Sequence, residues 1–183
     1  MLKVKVVIKA LVVKQLLLTA IVAAAVGNGS ITSSTAVPLN SNSQMSSAQA
    51  DSAELDLVVQ QIHESINQYR AEHNLPPLAM NAHVSRQAKI HSQEMAQEVV
   101  KFSHQGFKDR IKALEGQVIY LRAAENLAFN QGYQDPAQKA ISGWLKSEGH
   151  HKNMIGDFNI TGIGVAKNTE GEYYFTQIFI KEK

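Results

Sequence analysis

The hydrophobic period of this chain changes in its last quarter, and that change limits the folds open to it. "ITGIGVAK" and "EYYFTQIFIK" are β-rich runs joined by "NTEG", a hairpin signal. Everything ordered before them reads as helix. Leu55, Val58, Val59, Ile62, Ile66 and Tyr69 recur at helical spacing, so the pattern predicts an amphipathic helix over 52–73. Asp51 and Glu54, at capping-box spacing, are expected to start it, and "NLPPL" (74–78) to stop it. Asn81 is placed to cap a second helix carrying Val84, Ala88, His91 and Met95 on one face, and Phe107, Ile111 and Leu114 predict a short third ending near Gly116. Asp135 before Pro136 opens a fourth, which runs through Ile141, Trp144 and Leu145 and is expected to end at Gly149. Helices followed by a terminal hairpin define an α+β layered domain with a small antiparallel sheet.

Ahead of that domain the composition differs. Residues 1–26 hold Lys3, Lys5, Lys9 and Lys14, no acidic residue, and an apolar run from Leu16 to Val26. This reads as a secretory signal within residues 1–36. The alternative is a retained membrane anchor, for which the run is shorter than the roughly 20 residues a span needs. Residues 37–50 continue a Ser- and Asn-rich tether, so the folded domain is expected over 51–183. Without the leader's four lysines, 14 basic residues face 16 acidic ones, and no basic stripe points to nucleic acid. The chain contains no cysteine, which excludes disulfides, a thiol nucleophile and a lipid anchor on cysteine; the domain must be held by core burial alone.

Five stretches stand out in series: "NQYRAEHNLPPL" (67–78), "FSHQ" (102–105), "AENLAF" (124–129), "GW" through "GHHKN" (143–153) and "YFTQIF" (174–179). In this order and spacing they resemble the CAP superfamily of cysteine-rich secretory proteins, antigen five and plant pathogenesis-related proteins, most closely its bacterial secreted branch. The resemblance covers about residues 57–180 and implies a three-layer α-β-α sandwich. It also implies an open cleft holding His104 and Glu125. Many eukaryotic relatives add a second Glu and a second His; Ser147 and Tyr174 stand at those places here, and His150 is offered instead. The expected cleft therefore comprises His104, Glu125, Ser147, His150, Asn153 and Tyr174.

Each of these residues also has a purely structural reading. Glu125 sits in an otherwise apolar stretch and needs a partner, for which His104, Arg122 and Arg70 are the candidates. His150 follows a Gly and suits a helix C-terminus; His151 is expected to face solvent. Asn153 is expected to brace its turn, Asn67 and Arg70 to brace the first helix, and Trp144, Tyr173 and Phe175 to anchor the core. His63, His73, His83 and His91 lack paired ligand spacing and read as surface or part-buried.

Three functions compete. An exported binding module, extracellular or periplasmic, would take a lipid or sterol, a glycan, a peptide or a metal ion in the cleft. A metal-assisted hydrolase would use His104, His150 and Glu125 around Zn2+ or another divalent cation, with water in the open position. No H-E-x-x-H supports that centre, and no G-x-S-x-G supports a serine hydrolase. A structural cell-envelope protein would keep the cleft only as a vestige. Binding is favoured over catalysis.

Overall fold

Two glycines on one strand bring a helix down onto a sheet, and this contact organises the computed structural model, which describes residues 46–183. The element order is α1 (Ser47–Glu72), β1 (Ala79–Met80), α2 (Ala82–Ala96), α3 (Phe107–Lys112), β2 (Tyr120–Gln131), α4 (Pro136–Lys146), α5 (Glu148–Met154), β3 (Ile160–Lys167) and β4 (Glu172–Glu182). The strands form one sheet in the order β1-β3-β4-β2. The pairs β3–β4 and β4–β2 are antiparallel, while the short β1 runs parallel to β3, so the sheet is larger than the expected hairpin and mixed in direction.

Alternation along β4 divides the core into two layers. Tyr173, Phe175 and Phe179 face α1 and α4, where they pack with Val58, Ile62, Ile66, Ile141 and Trp144. Ile178 and Ile180 face the other way, against Val84 and Ala88 of α2 and Ile111 and Leu114 around α3. Helices on both faces of one sheet make the α-β-α sandwich that the family resemblance implied. The second layer is unusually close. A Cβ on Gly162 would lie 2.2 Å from the Ser85 amide nitrogen, and one on Gly164 would lie 2.2 Å from the Ala88 carbonyl carbon. Only hydrogen fits there, and Ser92 fastens the contact, its Oγ lying 3.0 Å from the Gly164 carbonyl oxygen and 2.9 Å from Thr176 Oγ1.

The first layer is tied by a buried cation. The Arg70 guanidinium, at 0% exposure, donates to the carbonyls of Pro76, Met154, Gly156 and Phe158, so α1 holds the whole turn after α5. Burial pushes its pKa down, but four carbonyl acceptors satisfy the charged form. Asn67 adds a two-way clamp, donating to the Leu78 carbonyl and accepting from its amide. Both residues brace the first helix, as their positions suggested.

Several boundaries differ from expectation. The first helix starts at Ser47, not after Asp51, because Ser46 and Gln49 satisfy each other's backbone amides as a reciprocal capping box. Ser47 to Ala50, assigned to the tether, are therefore helical; the expected leader and the tether before Ser46 lie outside the described residues. The fourth helix stops at Lys146 and not at Gly149. Ser147 is extended (φ −100°, ψ 117°) and its carbonyl accepts the His151 amide, opening α5. The caps at Asn81 and Asp135 are as expected.

Replacing Gly164 with Ala is expected to cost at least about 2 kcal/mol of stability, the range of overpacking against rigid backbone. Gly143→Ala is the control: it lies inside α4 with nothing within 4 Å of the added methyl, and should stabilise by about 0.5–1 kcal/mol. Urea unfolding of the two variants against the parent checks both signs.

Candidate functional site

Glu125 is the centre of the site, and its surroundings decide what it can do. It lies on β2 opposite Ile178, pointing to the α2–α3 side, with its side chain 1% exposed. Arg110 of α3 meets it with a two-pronged contact, Nε to Oε2 at 3.0 Å and Nη2 to Oε1 at 2.8 Å. His104 closes the third side, its Nδ1 2.9 Å from Oε1. Neither Arg122 nor Arg70 is the partner. Arg122 bonds the Asp157 carbonyl and carboxylate, and Arg70 serves the clamp described above. Arg110 escaped the sequence reading because it belongs to none of the five stretches; its place one helical turn after Gly106 was the available signal.

The loop bearing His104 is set from beneath. Buried His91 of α2 reaches the Ser103 carbonyl with Nε2 at 3.0 Å, and Arg110 Nη1 holds the Gln105 carbonyl at 2.9 Å. The His104 side chain remains 53% exposed, so one imidazole edge is bonded to the carboxylate and the other is open. His150 approaches from α5, with its ring centroid 6.5 Å from that of His104. Burial, and then the His104 charge, lower the His150 pKa, keeping the ring neutral near pH 7.

Asparagines position α5 against the strand. Asn126 donates to the His150 carbonyl at 3.1 Å; Asn153 donates to Asn126 Oδ1 at 2.9 Å and to the Glu125 carbonyl at 3.4 Å. Trp144 Nε1 donates to the Leu127 carbonyl two residues further along β2. His104, Glu125, His150 and Asn153 thus gather at the β2–α5 edge, with Ser147 at the start of α5. His150 lies inside that helix, not after a helix-ending Gly, so the C-terminal reading of it lapses. His151 turns inward and pairs with Tyr69 Oη at 2.8 Å instead of facing solvent. Tyr174 instead packs with Phe129 and Phe102, with centroids 5.1 and 6.5 Å away, and its hydroxyl donates to Glu172; among the described residues no contact joins it to His104 or His150.

The donor set does not fit a three-ligand zinc centre. Both Glu125 oxygens are engaged by a guanidinium, and among the described residues no three His, Cys, Asp or Glu side chains group as metal ligands. A cavity of about 690 Å³ lies away from the histidine pair, between α2 and α3, and shares His91, Gln105, Gly106 and Arg110 with this region.

Sandwich, loop imidazole and buried acid together define a recognisable class of domain. The profile of the cysteine-rich secretory protein family, CAP, matches residues 63–179, and the chain belongs to that family. It is 38% identical over 128 residues to an uncharacterized membrane protein, YlbC, of Bacillus subtilis, covering 66% of this chain and 34% of the relative. A second uncharacterized protein of that bacterium, YkwD, is 33% identical over 122 residues, covering 64% and 44%. The chain thus spans less than half the length of either curated relative. Among solved structures, an extracellular protein with an SCP domain from Bacillus anthracis is similar at 32% identity and a TM-score of 0.58, over 73% of this chain and 42% of that one. An outer surface protein of Borrelia burgdorferi shares the fold at 20% identity and a TM-score of 0.60, over 69% and 94%.

Arg110→Met leaves the Glu125 carboxylate buried beside an imidazole alone, and is expected to cost about 3–5 kcal/mol. Adding Glu125→Gln should recover a large part of that loss, measured as a double-mutant cycle by urea unfolding. His150 should titrate below the ordinary imidazole value of about 6.5, so its share of stability is present above that value and lost as pH falls through the lowered one. Proton NMR of the ring should show His104→Gln raising the His150 pKa by removing a neighbouring charge.

Proposed function

We propose that the domain is an exported binding module whose recognition site is the hollow where His104 and His150 meet. The observation that carries the reading is how Glu125 is held. A carboxylate that is 1% exposed and takes two guanidinium bonds and an imidazole has three of its roughly four lone-pair sites occupied, so it acts as a fixed anchor for His104. What remains for a ligand is the open edge of His104 and the imidazole of His150. A neutral imidazole offers one donor and one acceptor, which suits uncharged polar groups such as sugar hydroxyls or peptide amides. The extracellular and surface relatives, and the basic start with its apolar run at 16–26, support export. Among the described residues no helix is long and apolar enough to cross a membrane.

Titration with N-acetylated oligosaccharides and with short peptides, followed in ¹H–¹⁵N spectra, tests the reading. Saturable shifts at His104 and His150, lost in His150→Ala, are expected from one of the two series, with the ligand recovered intact by mass spectrometry. Ligand cleavage that disappears in Glu125→Gln would overturn it in favour of a hydrolase.

A further inference from the structure

One margin of the sheet is covered by its own chain for only two residues. Strand β1 pairs with β3 at Ile160 and Thr161 and no further, because the chain leaves the margin at Asn81 to cap α2. Beyond that point β3 runs to Lys167 with β4 on one side alone. The Asn168 amide bonds the Glu172 carbonyl at the hairpin, so Ala166, Gly164 and Gly162 also turn their main chain to β4, and the residues between them turn away. The Thr161 carbonyl agrees, accepting the Asn81 amide on the far side at 2.8 Å. Among the described residues the amides of Ile163, Val165 and Lys167 and the carbonyls of Ile163 and Val165 have no partner. A row of main-chain donors and acceptors like this is a template for one more strand.

Space for that strand lies between α1 and α2. Two adjoining hollows of about 300 and 490 Å³, which share Leu55 and Val165, follow the margin from Met80 at the end of β1 to Asn168 at the hairpin. Gly164, which has no side chain, is part of the lining, so the space reaches the β3 main chain itself. The two walls differ in chemistry. Leu55 and Val59 of α1 make an apolar wall, while Arg86 and Lys89 of α2 make a basic one. Arg86 and Lys89 are exposed and form no ion pair among the described residues. Asp56 is the one acid beside the first hollow, and none lines the second.

A strand laid in this space puts alternate side chains on the two walls. We propose that the open margin of β3 is a docking site for an extended peptide that alternates aliphatic and acidic residues. Its main chain pairs with Ile163, Val165 and Lys167, its aliphatic side chains meet Leu55 and Val59, and its carboxylates meet Arg86 and Lys89. Main-chain pairing supplies the affinity, and the unlike walls supply the pattern that is recognised. The histidine hollow lies by β2, at the opposite margin of the sheet, so this site does not depend on the function proposed there.

The experiment titrates the full chain, labelled with ¹⁵N, with an end-blocked hexapeptide of alternating Glu and Val and with its counterpart of alternating Lys and Val. Two further forms of the first peptide are N-methylated, one at every Glu and one at every Val. The Glu peptide should give saturable shifts at Ile163, Val165 and Lys167 and slow their amide exchange about tenfold or more. Gly162 and Gly164, already bonded to β4, should keep their rates. One methylated form should bind like the parent and the other should not bind, because only alternate amides face β3. Arg86→Glu combined with Lys89→Glu, both at exposed positions, should weaken the Glu peptide about tenfold or more. Equal binding of the Lys peptide, parental affinity in both methylated forms, or no saturable shift with the Glu peptide would overturn the proposal. So would protection of the same amides without peptide in a chain that sediments as a dimer, which assigns the margin to a second copy.

Discussion

The approach of α2 to β3 over Gly162 and Gly164 is the constraint on which the rest of this structure depends. With side chains at either position the helix would stand off the sheet by the width of a methyl group, and every residue that α2 positions would move with it. Ser92 could not reach both the Gly164 carbonyl and Thr176. His91 would lose the Ser103 carbonyl, and with it the fixed start of the loop that carries His104. Backbone packing of α2 on the sheet thus sets the position of an imidazole at the site on the same face. This is a geometric chain, not an energetic one, and each link is a contact of 3.0 Å or less.

The features legible in the sequence were those with local causes. Caps at Asn81 and Asp135, the stop at "NLPPL" and the terminal hairpin each follow from a few adjacent residues, and each stands where it was read. The misses have non-local causes. Strand β2 went unassigned because "AAENLAF" lacks clean alternation: Asn126 and Asn130 face the interior, where their amides find the His150 and Pro136 carbonyls. No periodicity rule anticipates a buried asparagine whose partner lies on another helix. The division of α4 from α5 was hidden for a similar reason, since Ser147 turns the chain without a proline or glycine of its own. At the site, His104 and Glu125 were identified through the family resemblance, whereas Arg110 was not, because a partner from outside the motifs becomes visible only when the chain is folded.

The Arg110–Glu125 pair also separates two roles that resemble each other in sequence. A histidine beside an acid suggests catalysis, but the acid here is already neutralised by a guanidinium in a bidentate geometry. Its effect is to fix the orientation of His104. The neighbouring helix α5 is built to the same end, with polar side chains spent on holding backbone in place.

One further consequence belongs to β2, which is twelve residues long and forms an outer margin of the sheet. A strand of that length with a free flank invites another chain to pair alongside it. Two of its main-chain oxygens, on Glu125 and Leu127, are instead occupied by the amide of Asn153 and the indole of Trp144. A newcomer would have to displace both before forming its first rungs. The same side chains that seat α4 and α5 thereby guard the molecule against growing, strand upon strand, into an aggregate.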